Sequence, residues 1–182
     1  MADKQMGTKS LRPASPHEGR QFFAWIALCL ALAVHVPASA HAGSLLSAWI
    51  ALCLALAVHI IDEAANGFLS AYNPTVIAMR ARVPWLPFPV FRFDVWLGGL
   101  IAANVLLFSF SFFISRPAAW MRLIAYAFSF VMLANGIGHI LGTMFGRTVA
   151  SVRFPRPMPG FYSSPLLLAA SVYLLLELKG TS

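Results

Sequence analysis

The stretch AWIALCLALAVHIIDEAANGF, residues 48–68, opens with eleven uncharged, apolar positions and then sets His59, Asp62 and Glu63 within five. An apolar run with no polar face reads as a helix buried in a core or a membrane. Ionisable side chains at bilayer depth cost roughly 2.5–3.5 kcal/mol each on insertion scales, so they face a polar interior and mark a working site. On a helix His59 and Glu63 are i and i+4, and Asn66 is i+7, so the three share one face while Asp62 points about a quarter-turn away. Asn135 and His139 repeat the i, i+4 arrangement in a second apolar segment.

Composition agrees with the membrane reading. Of 182 residues 59% are hydrophobic and only 10% charged, with a mean hydropathy of +0.75, far from the usage of soluble domains. The fold class expected is all-α: an integral membrane domain with a four-helix bundle core. The net charge of +7 comes mostly from arginines between apolar segments. It speaks to membrane orientation and anionic headgroups, and no nucleic-acid partner is expected. Cys29 and Cys53 sit inside apolar runs as small core residues, without the spacing of a disulfide or zinc knuckle.

Four stretches approach the 20 or so helical residues that cross a hydrocarbon core: 45–70, 95–114, 118–145 and 161–178. Asp94 is the expected N-cap of the second, and Pro117 and Pro165 stand at the starts of the third and fourth, where a missing N–H matters little. Between the first two lies PTVIAMRARVPWLPFPVFRFD, whose prolines argue against a regular helix. Its aromatic and arginine side chains favour an interfacial anchor, with a lid over the site as the functional alternative. Gly98, Gly99, Ala102 and Ala103, and Gly136, Gly138 and Gly142, are expected to permit close helix contact, and Asn66 and Asn104 to bond between helices.

Residues 1–43 form a separate segment, ahead of the domain at 44–182. Within it AWIALCLALAVH, residues 24–35, is repeated letter for letter at 48–59. A repeat occurring once is not a solenoid; it has the form of a tandem duplication or a gene-model artefact. Lys4, Lys9, Arg12 and Arg20 precede the first copy and VPASAHAG follows it, the layout of a secretory signal peptide; an uncleaved fifth helix shortened by Pro37 is the alternative. Either way the positive-inside bias puts 71–94 (Arg80, Arg82, Arg92) and 146–160 (Arg147, Arg153, Arg156) in the cytoplasm, across a plasma membrane of the bacterial inner-membrane kind. The first and third spans then run in the same direction. At 1.5 Å per residue the His59/Glu63 and Asn135/His139 pairs reach similar depth and are placed to meet.

The HIIDE at 59–63 resembles the signature of the HXXEE-domain family of small integral membrane proteins of unknown function, with Asp62 where the motif has its first glutamate. NGIGH at 135–139 and PGFYSSPL at 159–166 are similar to that family's later asparagine–histidine and Pro-Gly elements, and the resemblance covers residues 48–178. It implies a membrane protein suspected of enzymatic activity, without an established substrate.

Two imidazoles and a carboxylate form the shell of a catalytic zinc site, which uses three such ligands and keeps one position open. His59, Glu63 and His139 are the expected ligands of a divalent metal such as zinc. Asp62 is then a base or an orienting partner, and Asn135 a donor to a developing oxyanion. A metal-free variant makes Glu63 the general base and leaves the histidines and Asn135 as electrophilic donors. The bland alternative is that His59 packs or snorkels and that Asp62–Glu63 marks the water boundary. The function expected is a membrane-embedded hydrolase acting on a lipid or another apolar or amphiphilic small molecule. A non-enzymatic carrier or proton-coupled transporter using the cluster as an ion site is the alternative, with a homo-oligomer supplying further helices; an accessory membrane subunit is a third reading.

Overall fold

A computed structural model describes residues 41–114, 118–145, 148–149, 152–153 and 155–180. The signal-peptide or fifth-helix segment, with the first copy of the repeat, falls at residues 1–40 outside the described residues except for its last few positions; so does Pro117.

The all-α class holds. Six helices follow in order among the described residues: α1 His41–Ala65, α2 Phe68–Arg82, α3 Phe93–Ser109, α4 Ser111–Ile114, α5 Ala119–Met144 and α6 Ser164–Gly180. A two-residue antiparallel ladder pairs Thr148 with Arg153 and Val149 with Val152. Among the described residues, three stretches are long and apolar enough to cross a membrane: Leu45–Ala65, Phe93–Ile114 and Ala119–Met144. The helix α6 has 17 residues, about 25 Å at the helical rise.

The helix α1 buries Leu45, Ala48, Trp49, Leu52, Cys53 and Leu56, a stripe at three- and four-residue spacing that continues into His59, Ile60 and Glu63. Leu54, Val58 and Ile61 lie exposed on its other side. The stripe packs on α6 and α3, while α5 packs chiefly on α6. The α6 helix therefore sits between α1 and α5, and Leu167, Leu174 and Leu178 are fully buried there. The Trp49 ring meets Phe128 edge-on at 5.3 Å, and its indole N–H donates to the Leu107 carbonyl at 3.1 Å. That carbonyl lies just before a break at Phe110, where Ser109 and Ser111 hydroxyls bond back to Leu106 and Phe108 and compete with the helical ladder.

Several expectations change. The stretch 45–70 is two helices: Gly67 takes a φ of +71°, which favours glycine, and the chain turns there. The region 71–94 is helical as far as Arg82 despite Pro74 inside α2. The breaker is the later Pro84, which disfavours the helical conformation at Val83. The remaining proline-rich segment is extended and tied to α2: Asn73 donates to the Phe91 carbonyl at 2.8 Å and accepts from its N–H at 3.1 Å. Asp94 does not cap α3. The helix begins at Phe93 with no side-chain cap, and the Asp94 carboxylate takes the Arg92 guanidinium at 2.9 Å. Of the small residues, Gly136 and Gly142 do sit in close contacts, against Leu168 and Met158, whereas Gly98, Gly99 and Gly138 have no neighbour within 4 Å of where a Cβ would stand. Pro165 lies in the first turn of α6 as expected.

Candidate metal centre

The last turns of α1 and the C-terminal half of α5 bring the two polar pairs together beneath the start of α6. His59, Glu63 and His139 are 1%, 5% and 3% exposed. Glu63 Oε1 lies 3.6 Å from His59 Nε2 and 3.1 Å from His139 Nε2, and all three ligand atoms fall within 4.8 Å of one another. Donors bound tetrahedrally to one zinc at 2.0–2.1 Å stand ~3.3 Å apart, and the two measured separations bracket that spacing. The imidazoles meet edge-to-face with centroids 4.8 Å apart. His139 Nδ1 is buried and has no hydrogen-bond partner among the described residues, a condition that buried polar atoms rarely tolerate without a water or ion nearby.

Asn135, one turn before His139 on α5, places Nδ2 3.0 Å from His59 Nε2, so its amide points into the same centre. Asp62 does not. Its Oδ2 accepts from the Ser163 backbone N–H at 2.9 Å and from the Ser163 hydroxyl at 2.7 Å. Ser163 Oγ in turn lies 2.8 Å from His59 Nδ1. Asp62 thus reaches His59 through a serine and is not among the three clustered ligand atoms.

A strap over the site is formed by Pro159 and Gly160. Gly160 has a φ of +87°, and a Cβ there would lie 2.8 Å from His139 Cε1, 2.9 Å from His139 Nδ1 and 2.9 Å from His59 Cε1. Only a glycine lets the backbone cross this close to both rings. The strap is fastened to α5 by Thr143, whose hydroxyl donates to the His139 carbonyl at 2.9 Å and accepts from the Met158 N–H at 3.0 Å.

The chain matches no family model, no curated protein and no solved structure. The site is therefore read from its own chemistry. Asn66 is exposed and bonds within its own helix turn, to the Asp62 carbonyl at 2.9 Å and to Asp62 Oδ1 at 2.6 Å, not to another helix. Asn104 Oδ1 has no partner among the described residues. Sequence reasoning missed Ser163 and Phe68. The first lies in the quoted PGFYSSPL, and its signal was its place just before a helix start. Phe68 stands 5.9 Å from the His139 ring, centroid to centroid.

Proposed function

We propose that this chain is a membrane-embedded, metal-dependent hydrolase acting on a lipid or another amphiphilic substrate. The observation that carries the reading is the buried Glu63 carboxylate set between His59 Nε2 and His139 Nε2 at 3.6 and 3.1 Å. Imidazole with one carboxylate suits a zinc-class ion better than magnesium, which favours all-oxygen sites and retained waters. When bound, such an ion supplies Lewis acidity to a carbonyl or phosphoryl oxygen and acidifies a water.

The protein's own part is then clear. His59, Glu63 and His139 would hold the ion out of reach of bulk water, and the Asn135 amide, which stands 3.0 Å from His59 Nε2, would be released to a substrate oxygen once that lone pair is taken by the ion. The apolar substrate class is supported by the aromatic side chains on one flank. Phe68 stands by His139 and stacks on Tyr72 at 5.4 Å and on Trp96 at 5.8 Å, leading outward to exposed Phe93. The three motifs HIIDE, NGIGH and PGFYSSPL supply the ligands, the amide donor, the strap and the serine of one site, which supports a kinship with the HXXEE-domain family. The membrane proposed is a bacterial inner membrane.

The test is elemental analysis of the full chain after detergent purification, wild type beside His139→Ala. Stoichiometric zinc in the wild type and its loss in the variant are expected. Equal, negligible metal in both, with zinc also absent after titration, overturns the metal-dependent reading.

A further inference from the structure

We infer that Ser163 is a positioning residue that locks His59 in the tautomer protonated at Nδ1, leaving without a proton the Nε2 that faces Asn135 and Glu63. The inference follows from counting protons along one line of hydrogen bonds. Asp62 Oδ2 takes two contacts from Ser163, the backbone N–H at 2.9 Å and the hydroxyl at 2.7 Å. An ionised carboxylate has only lone pairs to offer, so the single serine proton is directed to it. The competing acceptor, the Gly160 carbonyl, is farther from Ser163 Oγ at 3.1 Å. It already receives the Ser164 hydroxyl at 2.7 Å and the Ser164 N–H at 3.1 Å.

With its proton spent on Asp62, Ser163 Oγ presents only lone pairs to His59 Nδ1 at 2.8 Å. Two lone pairs facing each other at that distance repel, so Nδ1 carries the hydrogen. A neutral imidazole holds one N–H, which leaves Nε2 as the acceptor. The far side of the ring agrees independently, because the Asn135 amide lies 3.0 Å from Nε2 and donates to it. Buried ligand histidines are commonly oriented in this way by a carboxylate or carbonyl on the other ring nitrogen; here a hydroxyl is inserted between the carboxylate and the ring. The insertion also accounts for Asp62. Its Oδ2 turns to Ser163, just ahead of α6, and it acts on His59 through that residue. Ser163 is 5% exposed, so water does not take its place.

The hydrogen bonding stands apart from the metal; only the consequence for metal affinity rests on the proposed function. The experiment uses the metal-free full chain in detergent, labelled with 15N-histidine, with His59 assigned by loss of its signals in His59→Ala. Long-range proton–nitrogen correlations report the tautomer directly. The wild type and Ser163→Thr, which keeps the hydroxyl, are expected to show Nδ1–H. Ser163→Ala is expected to swap to Nε2–H, since the Glu63 carboxylate is then the nearest strong acceptor for a ring proton. Zinc affinity of Ser163→Ala should fall ~10–100-fold, the range for such orienting partners. A swap with no zinc binding in any variant upholds the role of Ser163 and counts against the metal reading alone. An unchanged Nδ1–H tautomer in Ser163→Ala overturns the inference. Should that variant fail to insert, Ser163→Cys, which keeps the volume and supplies a poor acceptor, carries the same test.

Discussion

Gly160→Ala is the sharpest structural test of the centre, because one methyl group bears on both histidines at once. Two terms add. An L-residue at the +87° φ of Gly160 costs roughly 1–2 kcal/mol. The new Cβ would also stand 2.8–2.9 Å from atoms of the His59 and His139 rings, against an optimum of about 3.5–4.0 Å. Relieving that overlap moves the strap or the rings by several tenths of an ångström, at about 1–3 kcal/mol for a well-packed interior. The total is ~2–5 kcal/mol, which lowers Tm by roughly 5–15 °C for a chain of this length. Metal affinity should suffer beyond stability, since ligand distances tolerate only ~0.2 Å. Gly138→Ala is the internal control. It neighbours His139 on α5 but would meet nothing within 4 Å, and alanine is the better helix former by ~1 kcal/mol. Thermal unfolding in detergent and zinc titration of the two variants decide the matter. If Gly160→Ala unfolds and binds zinc like Gly138→Ala, the strap does not rest on the imidazoles and the reasoning fails.

The duplication supplies another control: His35→Ala should leave zinc content and any activity unchanged, while His59→Ala and Glu63→Gln abolish both without preventing insertion; equal behaviour of the two histidine variants makes the cluster structural. For topology, single cysteines at Arg82 and Arg153, in a background lacking Cys29 and Cys53, should resist a membrane-impermeant thiol reagent in intact cells, because 71–94 and 146–160 carry six of the nine basic residues after position 43. Ready labelling of both would invert the orientation.

Much of this arrangement is legible in the sequence because it rests on helical arithmetic. The i, i+4 spacing fixes His59 with Glu63 and Asn135 with His139, and the depth of each pair along its helix brings them to one level. The contact between α2 and the 152–153 strand likewise puts the two arginine-bearing connections side by side, as the charge pattern requires. What escaped has no period to reveal it. Ser163 is one of two adjacent serines, and only the fold shows which of them reaches back to Asp62. Pro74 reads as a breaker, yet α2 carries it and runs on to Arg82. Gly98 and Gly99 look like a packing stripe, but α3 presents them away from its neighbour α1. Periodicity shows that a face exists, not which way it turns.

Two lines of side chains converge on the paired imidazoles, and their chemistry differs. One is polar: exposed Asn66 bonds to half-buried Asp62, Asp62 to Ser163, and Ser163 to His59. The other is aromatic: exposed Phe93 packs by Trp96, Trp96 by Phe68, and Phe68 by His139. Packing alone would account for the aromatic line but not for the polar one, since each buried polar group must be matched or it destabilises the fold. An enzyme that brings water to a bond in an amphiphile needs both, because its two reactants arrive from different solvents. The Glu63 carboxylate sits where the lines meet, between one histidine oriented from the polar side and one flanked from the aromatic side. On the proposed function, that placement makes His59 and His139 unequal: changes along Asp62 and Ser163 should act on metal binding, and changes at Phe68 on the substrate.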